Sequence, residues 1–154
     1  MRQAEAKAPP EAIKGARVLI VAAPYYRAVV DPMADSAARW VAQAGGVTER
    51  IDVPGAFEIP AAIALHEAAA PFDGYLAFGC VVRGETSHYD YVCGESARGL
   101  MDLSLKGVAL GYGILTVENL DQAMVRSDPQ GYDKGAEAAR AVAALIALKR
   151  RLQS

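Results

Sequence analysis

YLAFGCVV, residues 75–82, is an almost unbroken apolar run bounded by an Asp73-Gly74 turn and by the polar loop 83–87. A run that short, with no polar residue on either side of the pleat, is the signature of a strand covered on both faces. It is the most apolar segment of its kind in the chain, which predicts a central strand. The loop after it, Arg83-Gly84-Glu85-Thr86-Ser87, opens onto a long helix expected to reach about Lys106. Ser87 and Asp90 have the spacing of a capping box, which predicts where that helix starts.

Working outward, the same unit recurs. RVLIVA (Arg17–Ala22) reads as a second buried strand. Met33, Ala37, Trp40, Val41 and Ala44 follow at helical spacing, with Asp31 and Pro32 suited to the first turn and Gly45-Gly46 to the end. Residues 47–53 have the mixed polarity of an edge strand. Pro54-Gly55 breaks them, and 58–69 form an Ala-rich helix closed by Pro71. Downstream, 108–115 read as a strand interrupted by Gly111 and Gly113. Thr116 is a candidate cap for a short helix through Arg126. After the loop at Asp128-Pro129 and Gly131, a last helix is expected over 134–152, with Ala138, Val142, Leu145, Ile146 and Leu152 as its apolar stripe. Strand-then-helix repetition predicts an α/β fold: a parallel sheet with right-handed crossovers and helices on both faces. Residues 1–15 lack periodicity and are expected to form a flexible arm, leaving 16–154 as a single domain.

Composition narrows the function. The chain has 154 residues, 53% of them hydrophobic. A mean hydropathy of +0.12 is high for a soluble monomer and predicts subunit contacts. Sixteen basic against eighteen acidic residues leave a net charge of −2. That balance argues against a nucleic-acid or anionic-membrane binder. No apolar run approaches the ~20 residues of a spanning helix, and residues 1–16 lack the apolar core of a signal peptide, so a cytoplasmic location is expected. Two cysteines, two histidines and no C-x-x-C pair speak against a zinc site or a disulfide framework. Cys80 and Cys93 are expected to be reduced interior thiols.

In a parallel sheet the loops leaving the C-terminal strand ends share one rim, and ligands bind there. These loops are residues 24–27, 54–58, 83–87 and the stretch after Tyr112. Tyr25 and Tyr26 either stack on a planar ligand or cover the sheet edge. Pro54-Gly55 sets a tight turn that aims Ala56 and Phe57 at the cleft. Glu58 there either faces a helix dipole or accepts hydrogen bonds from a polyol. Gly84 permits an unusual backbone angle, and Glu85 and Thr86 offer backbone N–H groups ahead of a helix, a phosphate-binding arrangement. Neither a Walker A ending nor a dinucleotide glycine pattern is present. His88 follows at once and is the candidate proton-transfer group. His66, in the Ala-rich helix, reads as structural. Arg126 is a surface charge or an anion ligand, and Lys134 is a weaker case.

Three stretches taken together, VPGAFEIP (53–60), GCVVRGETSHYDYVCGESARGLMDLSL (79–105) and GILTVENLDQAMVRS (113–127), resemble the lumazine synthase family. The resemblance runs from about Arg17 to Leu152. It implies a three-layer αβα sandwich whose four-stranded parallel sheet has the flavodoxin-like order 2-1-3-4. It also implies condensation of 5-amino-6-(D-ribitylamino)uracil with 3,4-dihydroxy-2-butanone 4-phosphate to 6,7-dimethyl-8-ribityllumazine, without metal or organic cofactor. By position, Tyr25 matches the ring that stacks on the pyrimidinedione, and Ala56, Phe57 and Glu58 the segment that holds the ribityl chain. Cys80, Val81 and Val82 match the strand end that bonds the pyrimidinedione through its backbone. Glu85 and Thr86 match the phosphate-binding pair, and His88 the proton-transfer histidine. Tyr112 and Arg126 match residues supplied by the adjacent subunit, Arg126 reaching the phosphate. Phenylalanine or tryptophan is common at the positions of Tyr25 and Tyr112. The loop DPQGYDK (128–134) lacks the Gly-Lys kink of shell-forming members, so the resemblance implies a free pentamer ahead of a sixty-subunit shell. The alternatives are a flavin- or lumazine-binding or shell-forming paralogue without turnover, and an archaeal-type riboflavin synthase.

Overall fold

The inner strands β1 (Arg17–Ala22) and β3 (Gly74–Val82) carry the apolar runs, because each is covered on both faces. β2 (Val47–Asp52) and β4 (Leu110–Val117) flank them, and all neighbours pair in parallel in the order β2-β1-β3-β4. This computed structural model describes residues 12–154. Between the strands run α1 (Arg27–Gln43), a 3₁₀ turn (Ala56–Glu58), α2 (Ile59–Ala69), α3 (His88–Leu105), α4 (Leu120–Ser127) and α5 (Lys134–Gln153). The arrangement is the expected αβα sandwich. β2 lies at an edge and is covered only in places, as its mixed polarity predicts.

Alternation along the strands separates two cores. Leu19, Val21, Tyr75, Ala77 and Ile114 pack with Ile59 and Ile63 of α2 and with Val92 and Leu100 of α3. On the other face Val18, Ile20, Leu76, Phe78 and Leu115 pack under α1, α4 and α5. Phe78 is wholly buried, and truncating such a side chain costs about 3–5 kcal/mol. The glycines that interrupt β4 have a packing cause. A Cβ on Gly111 would collide with the Ala138 carbonyl of α5, and one on Gly113 with the Phe78 ring.

Several boundaries differ from the sequence reading. Helix α1 starts at Arg27, so Pro32 lies inside it rather than in its first turn. A proline there costs about 3 kcal/mol. Val29 and Val30 are fully buried in the turn before it, each worth roughly 1.5–3 kcal/mol, and that packing wins. The expected arm at 1–15 does not include residues 12–15. Residues 1–11 lie outside the described residues, but 12–15 form a turn in which Ile13 is fully buried and its N–H donates to the Ala44 carbonyl (3.0 Å). Thr116 is not a cap, because β4 continues through it, paired with Val81. Asn119 caps α4 instead, accepting from the Gln122 N–H at 3.0 Å, while Gln122 returns its Oε1 to the Glu118 N–H at 2.8 Å. On α5 the buried face is Ala138, Ala139, Val142, Ala143 and Ile146; Leu145 and Leu152 are exposed.

Candidate active site

The four strand ends meet at one rim, but not at one height. Ala22 pairs with Phe78, and the Ala23 N–H donates to the Phe78 carbonyl (2.8 Å), where β1 stops. β3 continues to Val82 beside β4, whose Val117 carbonyl accepts the Arg83 N–H (2.9 Å). Those extra residues of β3 rise about 13 Å above the end of β1, at roughly 3.3 Å per residue. A wall of β3 and β4 thus stands over a shelf made by the turns after β1 and β2. In a parallel strand, the N–H and C=O of one residue face the same neighbour, and successive residues alternate. Tyr75 and Arg83 donate toward β4, and Phe78 accepts from the β1 side. The backbone groups of Cys80 and Val82 therefore project into the space that β1 leaves.

The shelf carries the aromatic and polar side chains. Tyr26 packs on the core under α1, whereas Tyr25 is 80% exposed and meets the Tyr26 ring edge-on at 4.9 Å between centroids. Of the pair, Tyr26 covers the sheet edge and Tyr25 is exposed. Gly55 is extended, and the Glu58 N–H donates to its carbonyl (3.1 Å), closing the turn. That closure buries Ala56, which packs on Gly79 of β3, and leaves Phe57 (56% exposed) and Glu58 outward.

Beyond the wall, Glu85, Thr86 and His88 are exposed at the start of α3. The capping box predicted from Ser87 and Asp90 is not formed. Ser87 has helical backbone angles and makes no cap bond, because the preceding residue takes that role: the Thr86 Oγ1 accepts from the His88 N–H at 3.3 Å. Asp90 turns instead toward Arg83 (3.5 Å). Burial pushes the Cys80 thiol up to about 11, and burial is also the largest cause raising Cys93. Neither is a thiolate nucleophile near neutral pH.

Two predicted residues stand apart from this constellation. Tyr112 pairs with Ala77, five positions below the top of β4 and one below the level at which β1 stops, and it stands two strands away from β1. It is 49% exposed, and burial leads the causes raising its phenol, with Cys93 and Tyr89 contributing. Arg126 sits on α4, across the sheet from α3, where its Nη1 donates to the Gln122 carbonyl (3.0 Å) and it lies 5.5 Å from the Tyr132 ring. A groove of about 390 Å³ between α1 and α4 includes Ala28, Pro32, Met124 and Val125 in its lining, and none of the predicted residues. Its lining also includes Asp121 and Asp128 but no histidine, and the stepped rim remains the candidate site.

A family model for 6,7-dimethyl-8-ribityllumazine synthase matches residues 15–150. The chain belongs to the lumazine synthase family. Among similar proteins is the 6,7-dimethyl-8-ribityllumazine synthase of Novosphingobium aromaticivorans, 53% identical over 88% of this chain and 98% of that protein. The synthase of Sphingopyxis alaskensis is 50% identical over 87% of this chain and 95% of its own length. Rhizobium meliloti contributes "6,7-dimethyl-8-ribityllumazine synthase 1", 49% identical over 91% and 95%. The sheet order and flanking helices are those the lumazine synthase resemblance implies.

Sequence reasoning on this family member missed the residues that hold the rim together. Arg83 entered only as a loop residue, yet its side chain reaches Asp90, Glu118 and the Tyr89 ring. The Asn119-x-x-Gln122 spacing is a capping signal that the reading of Thr116 as the cap passes over.

Proposed function

We propose that this chain, with residues 16–154 as one domain, condenses 5-amino-6-(D-ribitylamino)uracil with 3,4-dihydroxy-2-butanone 4-phosphate in riboflavin biosynthesis. The products are 6,7-dimethyl-8-ribityllumazine, phosphate and water. The observation that carries this reading is the stepped rim, which sets exposed strand backbone, a stacking ring and a helix-start loop around one shelf. Strand backbone without a partner strand is a template for planar donors and acceptors, as on a pyrimidinedione. Cys80 and Val82 offer that backbone to the ring, with Val81 between them, while Tyr25 stacks on its face. Ala56, Phe57 and Glu58 line the ribityl chain, and the amides of Glu85 and Thr86 take the phosphate.

The primary amine attacks the ketone and an imine forms with loss of water. Phosphate is eliminated, and the ribityl-bearing nitrogen closes the ring with loss of a second water. Each step moves protons without changing the overall oxidation level, so acid–base catalysis and juxtaposition of the two substrates are what the chemistry needs. His88 moves the protons. Arg126 of an adjacent copy stabilises the leaving phosphate, and Tyr112 of that copy completes the stacking wall.

Sharing of the site is part of this reading, because Arg126 sits on α4, across the sheet from the His88-bearing helix α3. The helices on the α2–α3 side also leave Leu65, Tyr91, Met101 and Leu105 exposed, apolar surface of the kind that subunit contacts cover. The reading therefore includes a pentamer, located in the cytoplasm. The test is to mix the purified protein with both substrates and follow the fluorescent lumazine. Turnover supports the assignment. Binding of the lumazine without turnover would make the chain a carrier, and neither would refute the reading.

A further inference from the structure

Arg83 is the first residue beyond β3, and its side chain spans the turn 84–87. Its Nε lies 2.8 Å from Glu118 Oε2 at the exit of β4, and its Nη1 3.5 Å from Asp90 Oδ1 on the far side of the turn. The guanidinium carbon sits 4.2 Å from the centre of the Tyr89 ring. Tyr89 is itself hydrogen-bonded to Thr116 of β4 and to Cys93. One planar group thus joins both ends of the Glu85–Thr86 turn to the top of β4. His88 lies between the joined points.

We infer that Arg83 is a positioning residue, which clamps the anion-binding turn and the His88-bearing first turn of α3 against β4. Its edges and face are taken up by Glu118, Asp90 and Tyr89, so it acts on the phosphate through the turn rather than by touching it. Exposed ion pairs add little to global stability, and Arg83 is 43% exposed, so the contacts do not explain themselves as fold stabilisers. Their effect lies in geometry, because a misplacement of about 1 Å at such a site can cost of the order of 10²-fold in rate. A lysine does not replace it, since an ammonium cannot pair with Glu118 edge-on while lying flat over Tyr89.

This inference rests on the phosphate role proposed above, and titration calorimetry with inorganic phosphate separates the two. Arg83→Ala should weaken phosphate binding roughly tenfold. The KM for the phosphate-bearing substrate should rise in parallel, while the KM for the pyrimidine stays within about twofold and Tm within about 3 °C of wild type. Arg83→Lys should recover little, and Glu118→Gln should fall between. If Arg83→Ala does not fold, Glu118→Gln and Arg83→Lys report the same ratio. Wild-type phosphate affinity in all three variants would overturn the clamp. So would a uniform loss of every parameter together with Tm, or no phosphate binding by the wild type. A wild type that binds phosphate with this dependence on Arg83 but makes no lumazine would leave the clamp standing and refute the function.

Discussion

Tyrosines at the two rims of the sheet are treated in opposite ways. At the N-terminal rim Tyr75 is fully buried; its hydroxyl donates to Glu67 Oε1 (2.6 Å) and accepts the Phe72 N–H (3.0 Å). Nearby, Arg17 lies 4.3 Å from the Phe72 ring and donates its N–H to Asp73 (2.7 Å). At the C-terminal rim Tyr25 touches Tyr26 and is 80% exposed, and Phe57 and His88 are exposed in the other loops of that rim. Groups that satisfy one another hold the fold, whereas groups left facing a shelf are available to a ligand. The same residue type is paired and buried at one end of the strands and exposed at the other.

Substitutions at the two rims should therefore separate activity from stability. The largest effect is expected for His88→Ala, with kcat down about 10²-fold and Tm unchanged, read by lumazine formation and thermal melts. That is the low end for proton transfer, because juxtaposition of the substrates survives the change. Next, mixed assembly breaks the comparison at the level of one chain. Equal amounts of His88→Ala and Arg126→Ala, each nearly inactive alone, should regain about a quarter of the wild-type sites when unfolded and reassembled together. No recovery would place both residues in the same subunit's site.

Tyr75→Phe tests the other rim. It should leave turnover alone and cost about 1 kcal/mol, since Glu67 and the Phe72 N–H lose their partner. Burial first, and the Glu67 hydrogen bond second, raise this phenol from 10 to about 12. A raised value means the folded state holds the proton more tightly. That contribution is complete below pH 10 and is lost as pH rises through about 12. Denaturant titrations over this range should show the loss in wild type and a smaller one in Tyr75→Phe. The smallest effect sharpens the picture of the wall: Cys80, raised to about 11 by burial, should resist thiol reagents at pH 8 until denaturant is added.

Legibility followed the range of the forces involved. β1 and β3 could be read because a strand covered on both faces shows as a continuous apolar run. The start of α1 could not, since the burial of Val29 and Val30 under the core overrides the local message of Pro32. Ile13 looked like part of an arm because its partner, the Ala44 carbonyl, is distant in sequence. Thr116 suits a cap and a strand equally well, and only its pairing with Val81 separates the two. At the site the residue types of all four loops were visible. The ties of Arg83 to Asp90, Tyr89 and Glu118 were not, because they depend on how β4 is placed beside β3.

What the residues determined by themselves is local: the alternation of strands and helices, the turn chemistry of Pro54-Gly55, and the presence of a histidine after an amide-rich loop. Tertiary structure alone decided the offset between β1 and β3 that makes the shelf, and the register that sets Tyr112 beside Ala77. Register in a parallel sheet is set by packing between segments far apart in the chain, and no window of sequence contains both partners.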